Sequence, residues 1–144
     1  VIRLYIFHIG AVNLITILNY PLKVGGNFLY LIGIGCNSQN TTTFPLEERL
    51  AAIKQVFASE PRVKVEVYHG LTIDFAATHE ATCILRGVRS MQDFEYERNI
   101  AEANKQLSGM ETVLLYTRPE YAHISSSLVR ELHAYGKDIT ALLP

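Results

Sequence analysis

Short apolar runs rich in β-branched and aromatic residues alternate with longer stretches of helical periodicity along nearly the whole of this 144-residue chain. Parallel strands need long crossover connections, usually helices, so the alternation predicts an α/β architecture. Five runs read as strands: residues 3–7 (RLYIF), 28–35 (FLYLIGIG), 62–68 (RVKVEVY), 82–86 (TCILR) and 111–117 (ETVLLYT). The expected form is a three-layer domain built on an open parallel five-stranded sheet. Its length suits a single domain over residues 1–144, without repeats, low-complexity tracts or linkers.

The intervening stretches carry helix signals. TTFPLEERLAAIKQVFASEP places Leu46, Leu50, Ile53 and Phe57 on one face, with Pro45, Glu47 and Glu48 favouring the N-terminus and Pro61 beyond the end. LTIDFAATHE is a shorter crossover. MQDFEYERNIAEANKQLSG has apolar Phe94, Ile100, Ala101 and Leu107 and stops at Gly109, a C-terminal cap. The last helix starts near Ser125, presents Leu128, Val129, Leu132 and Tyr135, and stops at Gly136. A first crossover helix is expected after residue 7, yet residues 9–18 are apolar almost all round, Pro21 interrupts them and Gly25-Gly26-Asn27 ends the run early.

With 13 basic and 14 acidic side chains the net charge is -1, which supplies no broad cationic field for nucleic acid or anionic lipid. Any anion must be met by a local site. Cys36 and Cys83 sit in apolar strand-like runs without a CxxC partner and read as buried thiols of a reducing compartment. Histidines 8, 69, 79, 123 and 133 show no HxxxH or HxH spacing, so no resident metal site is expected. Residues 4–20 hold no Asp, Glu, Lys or Arg and approach the roughly 17-residue minimum for a spanning helix, but His8, Asn13 and Asn19 make a poor span and LNYPLKV a poor cleavage site. A soluble, cytoplasmic chain with neither membrane nor nucleic acid as partner is the expectation.

In open α/β sheets ligands bind beyond the carboxyl ends of the strands, where helix N-termini present unpaired N–H groups. Two stretches fall there. RGVR follows the fourth strand and places Arg86 and Arg89 three positions apart around Gly87, which reads as a compact anion-binding device. An isolated RxxR is more often a solvated turn; its place after a buried strand favours the site. Ser125, Ser126 and Ser127 open the last helix; one hydroxyl suffices as a cap, and three point to a polyphosphate at the positive helix end. Other motifs are weak. GIGCN lacks the third glycine of a dinucleotide fingerprint and reads as glycines packed in a strand, GxxxxGK is absent, and SSS without a GxSxG elbow is no nucleophile signature. Asp74 and Glu97 read either as ribose contacts or as solvent-facing acids.

RGVRSMQDFEYE, PEYAHISSSLVREL and GKDITALLP, with FPLEERL and GLTIDFA, closely resemble bacterial phosphopantetheine adenylyltransferases of coenzyme A synthesis, over about residues 28–144. The resemblance implies a Rossmann-like nucleotidyltransferase fold and adenylyl transfer from Mg2+-ATP to 4'-phosphopantetheine, giving dephospho-coenzyme A and pyrophosphate. It further implies a homohexamer, with coenzyme A as a candidate inhibitor. Arg86 matches the arginine that contacts phosphopantetheine, and Thr72 a pantetheine-contact position. Gly87, Val88, Arg89 and Glu97 match ATP contacts, as do Tyr121, Ala122, His123, Ile124, Ser125, Ser126 and Ser127. In-line attack on a phosphorus needs positioning and charge neutralisation, which suits Arg89, Ser126 and Ser127 as the catalytic groups.

One segment departs from the family. Its members follow the first strand with Gly-Thr/Ser-Phe-Asp-Pro-x-Thr-x-Gly-His, which without gaps belongs at residues 7–16. Here those positions read FHIGAVNLIT, with Thr16 in place of the histidine and Asn40 in place of the family's phosphate-contacting lysine. That departure keeps open an inactive nucleotide- or coenzyme-A-binding domain; an adenylyl- or cytidylyltransferase acting on another phosphate acceptor, which shares the fold, is a third expectation.

Overall fold

The computed structural model describes residues 14–19, 29–36 and 44–142, with the backbone alone at 14–19, 29, 126 and 141. In chain order the elements are β1 (Leu14–Asn19), β2 (Leu29–Cys36), α1 (Leu46–Val56), β3 (Val63–His69), α2 (Thr72–Thr78), β4 (Cys83–Val88), α3 (Met91–Ser108), β5 (Glu111–Tyr116) and α4 (Ser126–Ala134), with single 3-10 turns at Pro119–Tyr121 and Thr140–Leu142. The expected strand at residues 3–7 lies outside the described residues.

The strands are ordered β3-β2-β1-β4-β5. β2 with β3 and β4 with β5 are parallel, as the helical crossovers between them require. At the centre the expected parallel sheet is corrected: β1 runs antiparallel to both β2 and β4. Connection length explains the reversal. Only residues 20–28 separate β1 from β2, and a parallel crossover needs about a dozen. Ile15, Thr16 and Ile17 favour strand over the expected helix.

Alternation along β2 assigns the two faces. Ile32 and Ile34 pack with Ile53 of α1 and with Val63, Val65 and Val67 of β3. Leu31 points the other way, to Tyr68, Ile84 and the α2 residues Ile73, Phe75 and Ala76. Helices therefore cover both faces, which makes three layers. Gly33 allows the second face to close: a Cβ there would lie 2.6 Å from Phe75 Cε1 and 3.1 Å from the Tyr68 ring. Those two rings stack with centroids 4.5 Å apart. The glycines of GIGCN thus serve packing at Gly33.

Helix ends follow their sequence signals. Gly109, at φ 73°, ends α3 in the left-handed conformation, where a Cβ would be strained. Two apolar positions differ from expectation: Leu107, on the last turn of α3, and Tyr135, the residue that caps α4, are exposed. Cys36 and Cys83 are free and half-buried rather than enclosed. Arg49 shares the sheet-facing stripe of α1 and is buried; its Nε and Nη1 have no acceptor among the described residues.

Candidate functional site

β4 runs two residues further than its apolar run suggests, so Arg86, Gly87 and Val88 belong to the strand and Arg89 is the first residue beyond it. Ser90 then caps α3, its Oγ accepting the Asp93 N–H at 3.1 Å. From that fixed start the helical repeat sets Asp93 and Glu97 one turn apart on one face. Each meets one arginine of the strand end.

Arg86 points to the same face as Ile84, and there donates from Nε to Glu97 Oε2 at 2.8 Å and from Nη2 to Oε1 at 2.6 Å. The pair is nearly enclosed, with side-chain exposures of 14% and 7%. Glu97 is therefore not a solvent-facing acid. Arg89 donates from Nε to Asp93 Oδ2 at 2.8 Å, from Nη2 to Oδ1 at 3.3 Å and from Nη1 to the Ile124 carbonyl at 3.0 Å. Its backbone N–H also donates to Asp93 Oδ2, at 3.2 Å. The bond to Ile124 reaches across 35 residues of chain and joins the end of β4 to the start of α4.

At that start Ser125 is the cap, accepting the Leu128 N–H at 3.1 Å. Ser126 opens the helix. Ser127 is exposed and accepts from Arg130 Nη2 at 3.4 Å. Tyr121, Ala122 and His123 lie exposed on the turn leading in, and Ile124 is half-buried. Thr72, at the start of α2, bonds the Tyr68 phenol through Oγ1 at 3.0 Å. Burial pushes that phenol up, while the Thr72 bond and the charge of Arg86 oppose the shift, so Thr72, Tyr68 and Arg86 share one neighbourhood.

The structure thus joins Arg89 to the serine turn, as the order of the motifs suggests, and revises three of the expectations. Arg86 and Arg89 are held separately, each paired with its own carboxylate of α3. Val88 has a fully buried side chain, and its backbone is engaged in the ladder with β5, where it pairs with Tyr116 and its carbonyl accepts the Thr117 N–H at 2.9 Å, so it packs the strand end. Position 16 lies within β1, paired with Ile32 and Leu85, and not at a strand exit. Asn40 falls outside the described residues. Sequence reading passed over Asp93 and Ser90, although Ser-x-x-Asp before a helix is a cap signal and Asp93 and Glu97 are spaced four apart.

Chemically, the two ion pairs leave this corner close to neutral. A guanidinium carries five N–H donors, and three of those on Arg89 are committed, leaving, among the described residues, one on each terminal nitrogen beside the positive end of α4. Such a corner can hold a phosphate oxygen. Among the described residues no group of His, Cys, Asp or Glu is arranged to hold a metal ion, and no helix is long and apolar enough to cross a membrane.

An α/β sheet with an anion-accepting corner after β4 is consistent with nucleotidyl transfer, and residues 7–132 match the family model described as cytidylyltransferase-like. Phosphopantetheine adenylyltransferase of Phocaeicola vulgatus is 54% identical over 114 residues, 79% of this chain and 76% of that one. The protein of the same name from Bacteroides fragilis is 50% identical over the same shares, and that from Leuconostoc citreum 44% identical over 75% and 68%. The chain belongs to the cytidylyltransferase-like family and, within it, to the phosphopantetheine adenylyltransferases.

Proposed function

We propose that this chain transfers the adenylyl group of ATP to 4'-phosphopantetheine, releasing pyrophosphate and forming dephospho-coenzyme A. The observation that carries the reading is the 54% identity to the Phocaeicola vulgatus protein across most of both chains. The Arg89–α4 corner supports it chemically. A phosphate oxygen of phosphopantetheine attacks the α-phosphorus of ATP; the new P–O bond forms as the bond to the β-phosphate oxygen breaks. The added charge spreads over the phosphoryl oxygens and the departing pyrophosphate, so positioned cations and N–H donors supply most of the catalysis.

In this scheme Arg89 and the hydroxyls of Ser126 and Ser127 stabilise the transferring phosphorus, and Arg86 and Thr72 meet phosphopantetheine. Gly87, Val88, Glu97 and residues 121–127 surround ATP. Magnesium arrives as the counter-ion of ATP and thus as part of the substrate. The finer assignments, a homohexamer inhibited by coenzyme A in the cytoplasm, belong to the same proposal. Pyrophosphate release tests it: release that requires both ATP and 4'-phosphopantetheine is expected, and none with both present overturns it.

Thr16 and Asn40 favour one second reading, a domain that binds nucleotide or coenzyme A without turnover. Calorimetric binding of ATP with no pyrophosphate release identifies that case. Release with a different phosphate acceptor identifies a transferase of another specificity.

A further inference from the structure

We propose that Asp93 is the positioning residue for nucleotide phosphate recognition, acting through Arg89; the proposal rests on the reading that Arg89 meets ATP. Arginine has a long flexible stem, and holding it in one geometry costs side-chain entropy at the moment a ligand binds. Here that cost is met within the chain. The Asp93 carboxylate grips the Nε and Nη2 edge of the guanidinium, and the same Oδ2 accepts the Arg89 backbone N–H, so one acid fixes both ends of the residue.

Asp93 is held in turn by the Ser90 cap on its own N–H. The Ile124 carbonyl supplies the third anchor, at Nη1. What remains, among the described residues, is one N–H on each terminal nitrogen, enough to bond two phosphate oxygens without reorientation. Asp93 is only partly buried, so its charge is screened and its value lies in geometry more than in Coulomb energy.

The test compares Asp93→Ala, Asp93→Asn, Asp93→Glu, Arg89→Ala and the double variant Arg89→Ala/Asp93→Ala. ATP affinity is read by calorimetry, both KM values and kcat by pyrophosphate release, and folding by the melting midpoint. Asp93→Ala is expected to weaken ATP binding at least fivefold, with the phosphopantetheine KM within twofold of the parent. Asp93→Glu, which keeps the carboxylate, should recover part of the loss. In the Arg89→Ala background, removing Asp93 should change ATP affinity less than twofold.

An equal loss with and without Arg89, or an equal rise in both KM values, overturns the positioning role. If Asp93→Ala fails to fold, Asp93→Asn carries the same comparison. Unchanged ATP affinity in Arg89→Ala defeats the underlying reading of Arg89. A loss in Arg89→Ala with none in Asp93→Ala or Asp93→Asn defeats only the role of Asp93.

Discussion

Arg86 and Glu97 hold each other through two charge-assisted bonds in an almost enclosed site. Removing Glu97 takes two charge-assisted bonds from Arg86 in a nearly enclosed site, and breaking such a pair costs about 3 kcal/mol. Glu97→Ala is therefore expected to lower stability by roughly that amount in urea titration, whereas Arg86→Met combined with Glu97→Leu should recover most of it. Equal stability of Glu97→Ala and parent would show the pair to be energetically idle. Gly33→Ala should cost about 1–3 kcal/mol by the same measurement, since its methyl meets a ring edge rather than a yielding chain end. The roles of these residues were unequally legible. Gly33 could be read as packed because it lies inside an apolar run. Glu97 could not be read as enclosed, because nothing local distinguishes a carboxylate that faces a buried arginine from one that faces water.

The α4 cap and the α1–β3 turn illustrate how elements are fixed at their ends. Ser125→Ala removes the acceptor of the Leu128 N–H and is expected to cost about 1 kcal/mol of stability. Ser127→Ala should cost far less, because Ser127 is exposed and its contact with Arg130 is long. In the turn, the Arg62 guanidinium beside Glu60 lowers that carboxyl from 4.5 to about 2. A lowered carboxylate stabilises the fold above its unfolded value and loses that contribution as pH falls through the folded one. The stability difference between parent and Glu60→Gln should therefore shrink between pH 4.5 and about 2. Solvent exposure keeps the effect small, and a difference constant across that range would contradict the coupling. Strands β2 to β5 and helices α1, α3 and α4 were readable within a residue or two, since hydrophobic period, prolines and glycines agree there. β1 was not: an apolar run without period suits helix or strand, and only the short connection to β2 decides between them.

Considered whole, the molecule gathers its candidate site from one half of the sheet: β4, the first turns of α3 and the start of α4. The sequence motifs at Arg86, Arg89 and Ser125 mark that half plainly, because ligand-facing residues follow strand ends in this architecture. The other half supplies α1 and its buried Arg49. Arg49 Nε and Nη1 meet no acceptor among the described residues, so Arg49→Met is expected to raise the urea midpoint, and a fall would show the buried guanidinium to be stabilising.

The reversed central strand also bears on how the protein comes apart. β1 matches β2 along its full length, from Leu14–Ile34 to Asn19–Leu29, but meets β4 only from Thr16–Leu85 to Leu18–Cys83. That narrow seam separates β2-α1-β3 from β4-α3-β5. Amide exchange should find the seam opening before either block melts, letting the half with the candidate site breathe as a unit while the rest of the sheet stays closed.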